Sequence, residues 1–386
     1  MRKISILGST GSIGTNTLKV IEANQNEFDV RYLTAGSNAE KLANQAKIYN
    51  PDALAIANSD KYLELKRRTK KLNLEIYQGR EGILEIASRS NIDLVCNSIV
   101  GAAGMEPTYQ VLKAGNDLAL SNKESLVMGG SVIMELAAEN GLDIFPIDSE
   151  HNAIWQCLRG EQKQEISRLI LTASGGPFRN TPMSELEKVG PREALNHPTW
   201  DMGKKITIDS ATMMNKGFEL IEASWLFDIE PENIDIIVHP QSVIHSMVEF
   251  QDGSIKAELG LPDMKLPIQY ALFYPEHRPV KWEDTDLAQL SELTFEKPDT
   301  EKFRNLKLAQ NALEQGGTAP TILNVANDIA VVSFLNKKIG FTEISDVIEK
   351  ALKEIQVIQD PNIDDIIDCQ ANTGEYVNKI IKKEEV

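Results

Sequence analysis

The sequence predicts an α/β protein built in parts: a doubly wound parallel sheet, an α+β domain and a C-terminal helical bundle. Three observations carry this. Strand-like and helix-like segments alternate over the first 150 residues, a glycine-rich turn follows the first strand directly, and beyond residue 300 the apolar pattern is helical only. In order, residues 4–7 read as a strand, 15–24 as a helix, 30–35 as a strand, 39–49 as a helix, 53–57 as extended and 61–71 as a charged helix. Residues 94–97, 117–120 and 143–147 read as further short strands. This βα alternation, with right-handed crossovers, defines a Rossmann-like region over 1–148. Residues 149–273 form the α+β part, with strands at 166–172, 234–239, 247–250 and 254–259 and a helix at 217–227. Pro275, Pro279 and Pro298 mark 274–300 as a surface linker. Residues 301–386 are helical, with Thr318 as a cap and Pro320 in the first turn of a helix.

The chain has 386 residues, 42% hydrophobic and 25% charged, which is globular composition and excludes a disordered or fibrous protein. Its formal net charge of −17 argues against a nucleic-acid binder, which needs a basic footprint. A locally basic pocket for a small anion remains compatible with that charge. Cys96, Cys157 and Cys369 are too few and too scattered for a disulfide framework or a thiolate metal site. No apolar run approaches the ~18 residues of a membrane span. Met1-Arg2-Lys3 runs straight into the first strand, so the expectation is a cytoplasmic protein with no leader segment and no membrane partner.

Gly8-Ser9-Thr10-Gly11-Ser12-Ile13-Gly14 lies between the first strand and the first helix. Glycines there let the backbone turn sharply and approach a pyrophosphate, whose charge meets the helix N-terminal N–H groups. The alternative is a tight turn without a ligand. The second strand ends Thr34-Ala35-Gly36-Ser37-Asn38, with no carboxylate to bind a ribose 2′-hydroxyl. That favours NADP, with Ser37, Asn38 and Lys41 facing the extra phosphate.

Asp148-Ser149-Glu150 follows a strand, and in extended chain Asp148 and Glu150 would share a face. Glu219 and Glu222 lie one helical turn apart. Carboxylates without thiolates suit a hard cation such as Mg²⁺ or Mn²⁺. Either pair alone more often describes a solvated surface than a metal site. Ser174-Gly175-Gly176-Pro177, Ser210 and Asn215-Lys216 supply hydroxyls, an amide and an ammonium just before the helix that carries Glu219, the donors that a phosphate needs. Lys123 follows a strand of the parallel sheet, where ligands of such sheets bind; the bland reading is a surface lysine. His197 and Trp200 lie in the polar stretch 196–203, which reads as a closing loop or a loop anchor.

GSTGSIG, AGSN, SNKES, DSEHNAIWQCL, SGGPF, HPTWDMG, DSATMMNKGFELIEA, HPQSVIHSM and LPDM occur in that order. Together they resemble the 1-deoxy-D-xylulose 5-phosphate reductoisomerase family, from Lys3 to the C-terminal helices. The resemblance implies a homodimer of the methylerythritol phosphate route to isoprenoids, acting on a small phosphorylated sugar. It implies NADPH as cofactor, with Thr10, Gly11, Ser12, Ile13, Gly36, Ser37, Asn38, Asn122, Glu124 and Gly203 at its contact positions. Asp148, Glu150 and Glu219 would ligate one divalent ion (Mg²⁺, Mn²⁺ or Co²⁺), with Glu222 close by. Lys123, Ser149 and Glu150 would touch the substrate backbone, Ser174, Ser210, Asn215 and Lys216 its phosphate, and His197 with Trp200 would belong to a lid. Where the family often carries a basic residue this chain has Ser37, which implies weaker attraction for the 2′-phosphate.

The implied reaction breaks and remakes a carbon–carbon bond and then reduces the resulting aldehyde to 2-C-methyl-D-erythritol 4-phosphate. Two other readings compete. An NADP-dependent dehydrogenase of a semialdehyde would need a nucleophilic thiol, for which Cys157 is the candidate, and one of a hydroxy acid would need no carboxylate site. An NADP-sensing regulatory protein would need neither.

Overall fold

A computed structural model describes residues 1–200, 202–279, 282, 285–286, 288, 290 and 292–384. Asp201, within the predicted closing loop, and part of the predicted linker lie outside them. The chain divides into two compact units, one formed by 1–125, 133–152 and 263–283, the other by 126–132, 153–262 and 284–386.

The first unit is a seven-stranded, all-parallel sheet. Its strands are β1 (Arg2–Leu7), β2 (Phe28–Ala35), β3 (Ala53–Ile56), β4 (Glu75–Gln78), β5 (Leu94–Asn97), β6 (Asp117–Leu120) and β7 (Ile144–Pro146), in the spatial order β4-β3-β2-β1-β5-β6-β7. Helices α1 (Ser12–Ala23), α2 (Ala39–Tyr49), α3 (Tyr62–Arg68), α4 (Gly79–Ala87), α5 (Met105–Lys113) and α6 (Lys123–Asn140) make the crossovers, and α7 (Ser149–Cys157) follows β7. Ile4, Ile6 and Leu7 are fully buried, as expected of a central strand covered on both faces. The strand order reverses between β1 and β5, so the crevice beyond their carboxyl ends is the ligand position of such a sheet. The sequence reading omits β4. Its Glu-Ile-Tyr-Gln is a short, half-exposed edge strand without the apolar run that marks the others.

The second unit carries a mixed sheet, β8 (Ile166–Ala173), β9 (Ile234–Val238), β10 (Ile244–Phe250) and β11 (Ile255–Leu259), in the order β11-β10-β8-β9. Between β8 and β9 lie α8 (Pro191–Ala194), α9 (Lys204–Ala211) and α10 (Met214–Phe227). Leu220 and Ala223 of α10 pack with Leu169, Leu171 and Val248 of the sheet. Phe218 and Ile221 of the same helix pack into the C-terminal helices. A helix apolar on every side is a buried helix, and this decides the environment of the acids it carries.

Helix α11 (Lys265–Phe273) returns to the first unit, where Phe273 meets Phe28 edge-on at 5.1 Å. In the second unit Val238 and Glu296 exchange backbone hydrogen bonds at 2.8 and 2.9 Å, so part of the predicted linker pairs with the sheet edge. Helices α12 (Arg304–Gln315), α13 (Ala319–Leu335), α14 (Glu343–Glu354) and α15 (Ile363–Glu384) follow. Thr318 stands at the N-cap of α13 as expected, but its hydroxyl accepts from the backbone N–H of Ile358 instead of closing the helix end. Within α6, Gly129 leaves helical geometry, and the Met128 carbonyl accepts from the Thr321 hydroxyl at 2.9 Å. Among the described residues no helix is long and apolar enough to cross a membrane.

Candidate active site

In the first unit, the predicted nucleotide turn is set by backbone packing. Gly8 has φ +82°, and a Cβ there would lie 2.8 Å from the Ser98 carbonyl oxygen at the end of β5. A Cβ on Gly14 would lie 2.5 Å from the Gly8 carbonyl oxygen, so α1 can start this close to the turn only with glycine. Neighbouring elements hold the turn in place. The Gly8 amide donates to Thr34 Oγ1 (2.9 Å) and the Ser9 amide to the Thr34 carbonyl (2.8 Å), while buried Gln45 accepts from the Ser9 hydroxyl and donates to the Ser9 carbonyl. Gly11 caps α1 without a side chain, leaving Gly11 and Ser12 exposed with Thr10 and Ile13 beside them. That is a helix N-terminus open to an anion.

Ser37 and Gly36 are exposed at the end of β2, and the Asn38 side chain caps α2 by accepting from the Lys41 amide at 3.0 Å. Lys41 does not face outward with them. Its ammonium donates to the Thr10 carbonyl (3.0 Å) and Thr15 Oγ1 (2.8 Å), so it braces the glycine-rich turn and the expectation for it is corrected. Asn122 is the N-cap of α6, accepting from the Ser125 amide at 3.1 Å, and its amide reaches the Ile99 carbonyl and Glu124 Oε2.

Lys123 is buried, not a surface lysine, and its ammonium pairs with Asp148. The expectation that Asp148 and Glu150 share a face of extended chain is wrong. The chain turns into α7 at Ser149, which places Asp148 just before the helix and Glu150 in its first turn. Asp148 stands where helix-start residues stand, a signal present in the sequence. The Ser149 hydroxyl donates to Glu150 Oε2 at 2.7 Å. Fully buried His151, not singled out from the sequence, has Nδ1 3.9 Å from Asp148 Oδ2.

In the second unit, His197 Nε2 lies 3.1 Å from both Ser174 Oγ and Ser210 Oγ. Its other ring nitrogen, Nδ1, accepts from the backbone amides of Thr199 (3.1 Å) and Trp200 (2.9 Å). Nδ1 is therefore unprotonated, and the neutral ring carries its proton on Nε2, aimed at the two serines. Burial holds the His197 pKa below its ordinary 6.5, favouring that neutral form. The Gly176 amide donates to Ser174 Oγ at 3.2 Å, and Gly176, at φ +66°, leaves no room for a Cβ against the Ser210 carbonyl. A cavity of about 480 Å³ lined by Ser174, Gly176, Arg179, Asn196 and Pro198 opens here. The Trp200 ring lies 6.3 Å from that of His245, and Gly203 is the N-cap of α9.

Asn215 and Lys216 sit in the first turn of α10, not before it as expected, and both bond Glu219. Lys216 and Glu219 are 4% and 1% exposed, and Glu222 is 0%. The reading of these acids as a solvated face is thereby excluded. Carboxylates on a helix buried all round require compensating positive charge, and an all-oxygen donor set suits a hard divalent cation. Cys157 is buried and its thiol is pushed up to about 11, chiefly by burial, so it stays protonated and is no nucleophile.

Family profiles of 1-deoxy-D-xylulose 5-phosphate reductoisomerase match residues 4–130, and those of its C-terminal domains match 144–227 and 259–376. The chain belongs to the 1-deoxy-D-xylulose 5-phosphate reductoisomerase family. It is 52% identical to that enzyme from Chloroherpeton thalassium over 98% of this chain and 97% of the relative. It is also 52% identical to the one from Thermoanaerobacter pseudethanolicus, over 98% and 99%. Among solved structures it resembles the reductoisomerase of Zymomonas mobilis in complex with NADPH, at 41% identity and TM-score 0.92, covering 98% of this chain and 99% of that one. A reductoisomerase in complex with NADPH, fosmidomycin and magnesium superposes at TM-score 0.94 and 41% identity, covering 99% and 98%. Family membership makes this chain an NADP-dependent oxidoreductase, and the dehydrogenase and sensor readings gain nothing from these relatives.

Proposed function

We propose that this chain converts 1-deoxy-D-xylulose 5-phosphate to 2-C-methyl-D-erythritol 4-phosphate, using NADPH and one divalent cation, in isoprenoid precursor synthesis. The observation that carries the proposal is the His197 N–H presented between Ser174 and Ser210, a neutral donor set for a phosphate in a member of this family. Asn215 and Lys216 complete that pocket. Phosphate and Glu219 compete for the Lys216 ammonium, so substrate arrival frees Glu219. Asp148, Glu150 and Glu219 would hold the cation, which would supply Lewis acidity and a template for the substrate oxygens. The Thr10–Ile13 turn, with Gly36, Ser37, Asn38, Asn122, Glu124 and Gly203, would hold NADPH, which would supply the hydride. Lys123, buried beside Asp148, steadies negative charge on a substrate oxygen and passes a proton to it. Ser149 and Glu150 orient the substrate backbone, and Glu222 lies close by. Phosphate binding closes the 196–203 loop, whose Trp200 excludes water while the carbon skeleton rearranges.

In this reading residues 149–273 are the catalytic region, 274–300 the linker and 301–386 the helical region. The enzyme is cytoplasmic and a homodimer; β11, an edge strand with exposed Ile255 and Leu259, is a surface that a second copy would cover.

The test is NADPH oxidation by the purified protein with 1-deoxy-D-xylulose 5-phosphate and Mg²⁺ or Mn²⁺, with the product identified. A branched product and loss of turnover on chelation are expected. An unrearranged alcohol would mean a plain dehydrogenase, and NADPH binding without turnover would mean a sensor.

A further inference from the structure

Behind the phosphate pocket, inside the second unit, lies a buried polar cluster that the reaction does not use. Asp209 of α9 is 1% exposed, and its two carboxylate oxygens are held separately: Asn327 Nδ2 of α13 donates to Oδ1 at 2.8 Å, and Lys205 Nζ lies 2.9 Å from Oδ2. Lys205 also lies 2.9 Å from Asp328 of α13 and 5.0 Å from the centre of the Phe218 ring. Asn327 is itself fully buried. The next residue along α9 is Ser210, whose hydroxyl meets His197.

A buried carboxylate beside a phosphate pocket would repel the ligand unless neutralised and turned away, and here two donors do both. Consecutive helix residues point about 100° apart, so anchoring Asp209 on α13 fixes where Ser210 faces. A side-chain oxygen about 5 Å from the helix axis moves by roughly 1.7 Å for a 20° rotation, more than a hydrogen bond tolerates. Apolar packing of Ile208 and Ala211 is non-directional and does not set that angle so sharply.

We propose that Asp209, clamped by Asn327 and Lys205, is a positioning residue that sets the rotation of α9 and so places the Ser210 hydroxyl for phosphate, making α13 part of the substrate-binding apparatus. This rests on the reading of Ser210 as a phosphate ligand. The test uses the whole enzyme. Asn327→Ala is expected to raise KM for 1-deoxy-D-xylulose 5-phosphate and the inhibition constant of inorganic phosphate together, by about tenfold, with kcat and KM for NADPH within about twofold. The exchange pair Asp209→Asn with Asn327→Asp restores a donor–acceptor bond and should recover most of the loss. Asn327→Leu keeps the side-chain volume, removes the donor to Asp209, and carries the same expectation where Asn327→Ala does not fold. A lowered Tm with both phosphate readouts unchanged would overturn the proposal, leaving the cluster a brace of the helices. Ser210→Ala separates the two readings: if it leaves KM and phosphate inhibition unchanged the phosphate assignment fails, and if only Asn327→Ala is silent the positioning role alone fails.

Discussion

The turn proposed for the nucleotide in the first unit and the pocket proposed for phosphate in the second are built by opposite means. The turn is backbone: Gly8 and Gly14 exclude any Cβ, and Thr34, Gln45 and Lys41 tie it down from outside. The pocket is side chain: His197, Ser174 and Ser210 converge from a loop, the end of β8 and α9. This backbone site tolerates no added atom at Gly8 or Gly14 yet is indifferent to most side chains. A side-chain site can lose one donor and keep its shape. The two should therefore fail differently.

The largest effect lies outside both. Glu150→Ala should reduce turnover on the order of 1000-fold while NADPH affinity, measured by fluorescence titration, stays unchanged. Normal kcat in the metal-replete variant would remove Glu150 from the metal site. Within the comparison, Gly14→Ala forces a Cβ to 2.5 Å from the Gly8 carbonyl oxygen and should weaken NADPH binding by about 10–100-fold, equivalent to about 1–3 kcal/mol of overpacking. Unchanged NADPH affinity would show that the turn yields more easily than its contacts imply. Lys216→Ala should raise KM for the substrate by about 10–50-fold, as loss of a charge-assisted bond, and leave NADPH affinity intact. A milder, pH-dependent effect belongs to His197. Its folded pKa is depressed below 6.5, so the unfolded chain takes up the proton first, and its contribution to stability is complete above pH 6.5 and is lost as pH falls from there through the lower folded pKa. Protonation must occur on Nδ1 and break its bonds to Thr199 and Trp200. KM for the substrate should rise with acidification, and NADPH affinity should follow it less. The smallest change sharpens the backbone site: Ser37→Arg should raise the preference for NADPH over NADH severalfold, read as the ratio of kcat/KM values.

How legible this was depended on whether a signal was local. Ile4–Leu7 declares itself because a strand buried on both faces must be apolar throughout. Glu75–Gln78 does not, because an edge strand needs no such run. The glycine spacing was readable, yet the reason for it lies in Ser98, some ninety residues away, which no local pattern contains. Asp148-Ser149-Glu150 continues a strand-like run and so suggests extended chain, although an acid before an apolar helix marks a helix start. The burial of Lys123, Glu219 and Glu222 follows from helices packed around them, so sequence leaves surface and site open for Lys123 and favours surface for the two glutamates. Asn327 meets Asp209 across more than a hundred residues and had no signal at all.

The orientation of one imidazole proton limits what can be built to occupy this enzyme. Because His197 Nδ1 is committed to two backbone amides, the ring offers the pocket a hydrogen and no lone pair. A phosphonate or carboxylate oxygen aimed at Nε2 would be welcomed, whereas an inhibitor presenting an amide or amine N–H there would set hydrogen against hydrogen and forfeit the contact.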